Sequence, residues 1–139
     1  MKVLLDTNVV LDFLQNRKPY AEAALTLFQA VATGQFSGYI SAKSVTDIFY
    51  LMHRFNHSNE ETRVLIQTLL GIVSLADTVA SDVLYALTSE TADYEDAVLI
   101  ETAKREKIDC IVTRNVKDFT HSTVPVYDPD QFIEFLTTI

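Results

Sequence analysis

Two stretches of the chain end in the same way. Val3-Leu4-Leu5 runs straight into Asp6-Thr7-Asn8, and Cys110-Ile111-Val112 runs into Thr113-Arg114-Asn115, with Asp118 close behind. Asp93 and Asp96 are three residues apart and share a face if that turn is helical. Asp47 lies inside SAKSVTDIFYLM, among residues that read as half buried. A carboxylate there is unfavourable unless it is hydrated, paired or metal-bound. Several short carboxylates with no His or Cys partner suit a hard cation such as Mg²⁺ or Mn²⁺, and Mg²⁺ commonly sits with substrate phosphates. Zinc is not supported, because His53 and His57 have no evident third ligand and His121 is isolated. The chain has no Gly-rich phosphate loop, no Gly-x-Ser-x-Gly elbow and no base placed for a serine nucleophile.

Each acid also has a purely structural reading. Asp6 and Asn8 could be cap and turn residues, Asp93 an N-cap, and Asp118 the closure of a turn before Phe119. Asp47 could pair with Lys43, four residues earlier, and exposed pairs of that kind mean little. The functional reading rests on the set: short carboxylates, each at or beside a strand end, in one small chain.

The elements that must position them follow from apolar periodicity. Val3–Leu5 reads as a central parallel strand buried on both faces. Asn8 is expected to cap a short helix from Val9 to Leu14, and Pro19 to open a helix that runs to Thr33 and stops at Gly34. Strands are expected at Phe36–Ile40, Val73–Leu75, Cys110–Thr113 and Val124–Tyr127. Further helices are expected from Ser41 to Phe55, from Asn59 to Leu70, from Thr78 to Ser89, from Tyr94 to Lys107 and after Asp128-Pro129. Short apolar strands alternating with amphipathic helices make an α/β domain around a mostly parallel sheet, whose ligands gather at the carboxyl ends of the strands.

Length and composition set the bounds. A chain of 139 residues is read as one domain, residues 1–139, with 48% hydrophobic and 22% charged residues and only 3 Gly and 3 Pro. Charges interrupt every apolar segment before it could span a bilayer, and the N-terminus does not read as a signal peptide, so no membrane association is expected. The one cysteine, Cys110, excludes an internal disulfide, reads as a small buried hydrophobe and fits a reducing, cytoplasmic compartment. The net charge of −8 argues on its face against a nucleic-acid partner, but residues 1–59 carry five Lys/Arg against four Asp/Glu, while residues 60–139 carry six against fifteen. Acidity belongs to the second part, where carboxylates either solvate the chain or gather cations.

On these residues the chain resembles the PIN-domain family of metal-dependent ribonucleases, including the VapC-like toxins of toxin–antitoxin pairs. LLDTNVVLDFL is similar to the family's opening motif, ISAKSVTDIFYLM to its second, and DYEDAVLIETAKREKIDCIVTRNVKDF to an acid-led helix, a strand and Thr-Arg-Asn-x-x-Asp-Phe. The resemblance implies a three-layer α/β/α PIN-like fold and hydrolysis of RNA phosphodiesters, single-stranded RNA in the first place, leaving a 5′-phosphate and a 3′-hydroxyl. Carried over, it makes Asp6, Asp47, Asp96 and Asp118 the catalytic metal ligands for Mg²⁺ or Mn²⁺, with Asp47 direct or water-mediated. Asn8, Asp93, Thr113 and Asn115 become supporting residues. Asp47 departs from the family's usual Glu and is one methylene shorter, and Asn115 stands where many members have Asp.

Lys43, Arg114 and Lys117 could track RNA phosphates, or be ordinary surface charge. Lys104-Arg105-Glu106-Lys107 closes a helix, where dipole complementation accounts for it without RNA. The resemblance also implies an antitoxin and a homodimer. The apolar faces of Tyr20–Val31 and Thr62–Leu70 could serve the dimer or simply the core. Two rivals stay open: another Mg²⁺-dependent phosphate-handling α/β protein, of receiver or phosphatase type, and a catalytically weak or inactive interaction module that keeps the fold.

Overall fold

The computed structural model describes residues 1–54 and 57–139. Its elements in chain order are β1 (Lys2–Leu5), α1 (Thr7–Leu14), α2 (Ala21–Ala32), β2 (Ser37–Ser41), α3 (Ala42–Arg54), α4 (Asn59–Leu70), β3 (Ser74–Ala76), α5 (Ala80–Ala86), α6 (Tyr94–Arg105), β4 (Cys110–Val112), a 3₁₀ turn (Val116–Phe119), β5 (Val126–Tyr127) and α7 (Pro129–Leu136). The strands form one sheet in the order β3-β2-β1-β4-β5, parallel throughout. The expected end of the third helix at Phe55 lies outside the described residues.

β1 is central, and its alternate residues serve two cores. Val3 and Leu5 join Leu27, Phe28, Ile48, Met52, Leu69 and Phe132 on one face, where α1, α2, α3, α4 and α7 pack. Leu4 joins Leu99, Ile100, Ala103, Ile111 and Phe119 on the other, beneath α6 and the 3₁₀ turn. That is a three-layer α/β/α arrangement, and burial on both faces explains why Val3–Leu5 of β1 and all of β4 are apolar without alternation. Cys110 is buried, and burial pushes its thiol up to about 12, so it acts as a small hydrophobe. Among the described residues no helix is long and apolar enough to cross a membrane.

α2 and α4 place Leu27, Phe28 and Val31, and likewise Ile66 and Leu69, in the first core, while Leu25 and Val64 on the same helices stay exposed. Large exposed apolar side chains also gather on α5, where Leu84 and Tyr85 are 63% and 65% exposed. Several helix boundaries differ from expectation. α1 begins at Thr7 because Asp6, not Asn8, takes the cap. α2 begins at Ala21 rather than Pro19 and ends near Gly34, whose φ of 80° needs no Cβ. α5 is shorter than Thr78–Ser89.

Gly38, on β2 beside Val3 of β1, has a different reason to be glycine: a Cβ there would lie 2.9 Å from Cγ2 of Val31. Gly38→Ala is therefore expected to lower stability by about 1–3 kcal/mol through overpacking between β2 and α2. Urea unfolding checks this, with an unchanged midpoint as the contrary result.

The topology decides where chemistry can occur. From β1 the chain moves to β2 and β3 on one side, then returns to β4 and β5 on the other. Leu5 pairs with Val112, so the residues that follow them, Asp6 and Thr113, emerge side by side at the carboxyl edge. This is the switch point where parallel α/β sheets open a crevice.

Candidate active site

Asp6 is extended (φ −72°, ψ 157°) and caps α1, its Oδ1 accepting the Thr7 N–H at 2.8 Å. Its Oδ2 accepts the Thr113 hydroxyl at 2.8 Å and the Asn8 amide at 3.4 Å. Thr113 is fully buried, and its Oγ1 in turn accepts from Asn8 Nδ2 at 3.3 Å and from the Asn115 N–H at 3.1 Å. Asn8 completes the ring by accepting the Arg114 N–H on Oδ1 at 3.3 Å. The two polar clusters that end β1 and β4 are thus one hydrogen-bonded unit. Asn8 is a brace in it rather than the helix cap expected from its position.

α6 brings the second group of acids. Asp93 is its N-cap, Oδ1 accepting the Asp96 N–H at 3.0 Å, and Glu95 and Asp96 occupy its first turn. Asp118 lies on the 3₁₀ turn and Asp47 on α3. Asp6, Asp47, Asp93, Glu95, Asp96 and Asp118 all line one cavity of about 610 Å³, together with Asn8, Asn115, Lys43 and Arg17. Six carboxylates face two cations.

The electrostatic result is strongest at Asp96. Burial, then the charges of Asp6, Asp93, Asp118 and Glu95, push its pKa from 3.8 up to about 7. Asp6 is raised too, by burial above all, with the bonds from Thr113 and Thr7 opposing and the charges of Asp93 and Glu95 adding. Among the described residues no three carboxylate, His or Cys side chains stand preassembled as a metal cage. The donor set around the cavity is nevertheless all oxygen, and its carboxylates are mutually repulsive. Both features fit a hard divalent cation. No histidine lines the cavity: His53 Nδ1 meets the His57 carbonyl at 3.1 Å, and His121 faces Glu90.

Of the three lysine and arginine positions singled out for phosphates, only Lys43 lines this cavity. Its ammonium is shared between Asp47 at 2.7 Å and Glu95 at 3.0 Å, so the pairing of Asp47 with Lys43 exists and extends to α6. Arg114 is engaged elsewhere, by Asp12 and by the ring of Tyr20. Lys117 is exposed on the 3₁₀ turn.

Three residues of the site region escape the sequence reading. Glu95 lies between two acids that the reading did single out. Arg17 follows α1 and lines the cavity, its Nε donating to Gln15 at 2.9 Å. Asp12 interrupts the apolar row of α1 and is 1% exposed, a signal visible in sequence although its partner was not.

A PIN-domain family model matches residues 2–117. No curated relative matches the chain. Among solved structures it is similar to VapBC2 of Rickettsia felis bound to a promoter DNA fragment, with a TM-score of 0.72, 15% identity and coverage of 92% of this chain and 98% of that one. It is similar to a toxin–antitoxin complex of Klebsiella pneumoniae, with a TM-score of 0.66 and 24% identity over 91% and 97% of the two chains. It is also similar to VapC20 of Mycobacterium tuberculosis, a toxin that cleaves the sarcin–ricin loop, with a TM-score of 0.68 and 11% identity over 88% and 98%.

Proposed function

The chain belongs to the PIN-domain family, and from that premise we propose that it is a divalent-metal-dependent endoribonuclease that hydrolyses phosphodiesters of single-stranded RNA as the toxin of a toxin–antitoxin pair. The observation that carries the reading is the gathering of Asp6, Asp96 and Asp118 around one cleft, with Asp96 pushed up to about 7 largely by its burial and its fellow carboxylates. Asp6, Asp96 and Asp118 would hold Mg²⁺ or Mn²⁺, and Asp47 would join directly or through water once released from Lys43. A bound divalent ion lowers the pKa of its water and offsets charge developing on the phosphate.

The chain's own residues do the positioning. Thr113 and Asn8 fix the Asp6 carboxylate, Asp93 holds the first turn of α6, and Asn115 lines the cleft. Lys43 (once released from Asp47 and Glu95), Arg17 in the cleft lining and the exposed Lys117 would meet phosphates. An antitoxin partner is supported by the toxin–antitoxin complexes among the structural relatives, and a homodimer is proposed with it from the family resemblance alone. The exposed apolar side chains of α5 suit a protein partner. A cytoplasmic setting follows from the same reading.

Two features favour an alternative reading as a catalytically weak or inactive module: Lys43 neutralises Asp47, and Asn115 carries no charge. One assay separates the two. End-labelled single-stranded RNA should be cut with Mg²⁺ or Mn²⁺ into fragments bearing 5′-phosphate and 3′-hydroxyl ends, and EDTA should lower the rate by at least about 10²-fold. Cleavage that persists in EDTA contradicts the proposal, as does intact RNA under every ion condition.

A further inference from the structure

We infer that Asp12 and Arg114 form a positioning pair that holds the Asp6 cluster in register, and that Arg114 does not contact RNA. The inference rests on the proposed nuclease reading and extends it to two residues outside the cleft.

Asp12 lies on α1, one helical turn beyond Asn8, so both project from the same side of that helix. Its carboxylate is 1% exposed and takes a forked contact from Arg114: Nε to Oδ2 at 2.7 Å and Nη2 to Oδ1 at 3.3 Å. The Arg114 Cζ is 4.0 Å from the centroid of the Tyr20 ring. The guanidinium is therefore held by a buried acid and an aromatic ring, while the backbone N–H of the same residue donates to Asn8 Oδ1. Arg114 is a two-ended strut: its side chain is tied to α1, and its main chain sets the amide of Asn8.

That second tie decides which way the amide faces. With Oδ1 accepting an N–H, Asn8 must turn Nδ2 toward Asp6 Oδ2 and Thr113 Oγ1. If the Arg114 N–H shifts, the amide loses the bond that holds Oδ1, and the already long contact of Nδ2 with Asp6 Oδ2 loosens. The same loop supplies the Asn115 N–H that fixes the Thr113 hydroxyl. Arg114 is also poorly suited to leave for a phosphate, because its departure would strand a buried carboxylate.

The two roles predict opposite results for Asp12→Asn. A positioning pair predicts that Asp12→Asn and Arg114→Ala each lower kcat roughly 10–100-fold, the scale of a small misplacement of reacting groups. KM for a short RNA should stay within about 2-fold, and the double variant should be no worse than either single by more than about 3-fold. Arg114→Lys, which keeps the charge beside Asp12 and the fold, should recover part of kcat. A phosphate contact predicts that freeing Arg114 by Asp12→Asn lowers KM and steepens its salt dependence, while Arg114→Ala flattens the slope by about 0.7. Those results overturn the inference, as does an unchanged kcat in both variants.

A readout independent of activity accompanies it. Amide hydrogen exchange at Arg114 and Asn115 should accelerate at least about 10-fold in Asp12→Asn relative to the wild type, both without added ions. Unchanged exchange overturns the inference whether or not the wild type cuts RNA. Accelerated exchange in Asp12→Asn, combined with a wild type that cuts no RNA, supports the strut and refutes only the nuclease reading.

Discussion

Asp96→Asn is expected to lower metal-dependent RNA cleavage by about 10³-fold at saturating Mg²⁺ or Mn²⁺, with the fold intact. Asp96 is the carboxylate on which the charges of Asp6, Asp93, Asp118 and Glu95 converge, and the substitution removes its charge while keeping its shape. What holds the α6 terminus is the Asp96 main-chain N–H donating to Asp93, which an asparagine retains. Asp6→Asn should fall to a similar rate, and the double variant little further, because both acids serve one ion. Asp93→Asn should behave differently, since asparagine also caps well and its role is in the helix start. Single-turnover cleavage is the measurement. A loss smaller than about 10-fold in both Asp96→Asn and Asp6→Asn would remove the acids from the mechanism.

The largest expected effect on stability lies away from the cleft. Arg105→Met should destabilise the protein by about 3 kcal/mol, a fall in Tm of roughly 10 °C for a chain of this length. Asp82, 1% exposed on α5, accepts from Arg105 Nε at 3.0 Å, from Arg105 Nη2 at 3.0 Å, from Thr102 at 3.1 Å and from the Val79 N–H at 3.0 Å. Arg105 also donates to the Asp77 carbonyl. Without the guanidinium a buried carboxylate loses its charged partner, and α5 loses its clamp on α6, the helix that carries Asp93 and Asp96.

The pH dependence gives a second check. Burial pushes Asp82 up, but the bonds from Arg105, Val79 and Thr102 outweigh it and hold the pKa below 3.8. Its contribution is therefore complete above the ordinary carboxylate range and is lost as pH falls through the lowered value. In Arg105→Met burial dominates and the sign reverses, so acidification from pH 7 to 4 should shrink the difference from wild type. Urea unfolding at both pH values tests this. A deficit that grows on acidification would contradict it.

Arg105 also shows where sequence reading stops. A basic run at a helix end is accounted for by the dipole, and only the fold reveals a buried acid 23 residues earlier as its partner. Asp12 and Arg114 are separated by 102 residues, so the one visible sign was a charge inside an apolar helix row. Local signals served better where the cause is local. The uninterrupted apolar runs of β1 and β4 follow from burial on both faces, Asp128-Pro129 caps α7 as its composition implies, and Asp6 ends β1 at the edge where a parallel sheet opens, whereas Asp47 and Asp96 reach the same cavity from helices α3 and α6. Competing local interactions explain the displaced boundaries. Asp6 outcompetes Asn8 for the cap because β1 ends directly before it. α5 starts at Ala80 because Asp82 reaches back to the Val79 N–H, where the sequence alone suggested Thr78. The 3₁₀ turn that presents Asp118 has too few residues to show a period.

Thermal unfolding of wild type and Asp96→Asn at pH 8, with EDTA or with excess Mn²⁺, tests the central claim that these carboxylates oppose one another until a divalent cation joins them. An acid whose pKa is raised holds a proton in the folded state that the unfolded chain has already released. Its contribution to stability therefore falls as pH rises from about 4 to about 7 and stays lost at pH 8. In EDTA, Asp96→Asn should melt higher than wild type by about 3–4 °C, corresponding to relief of roughly 1 kcal/mol after solvent screening. Excess Mn²⁺ should raise the wild type by about 5 °C or more and leave Asp96→Asn nearly unmoved. A wild type indifferent to Mn²⁺, or an Asp96→Asn protein that melts lower than wild type in EDTA, would contradict the account.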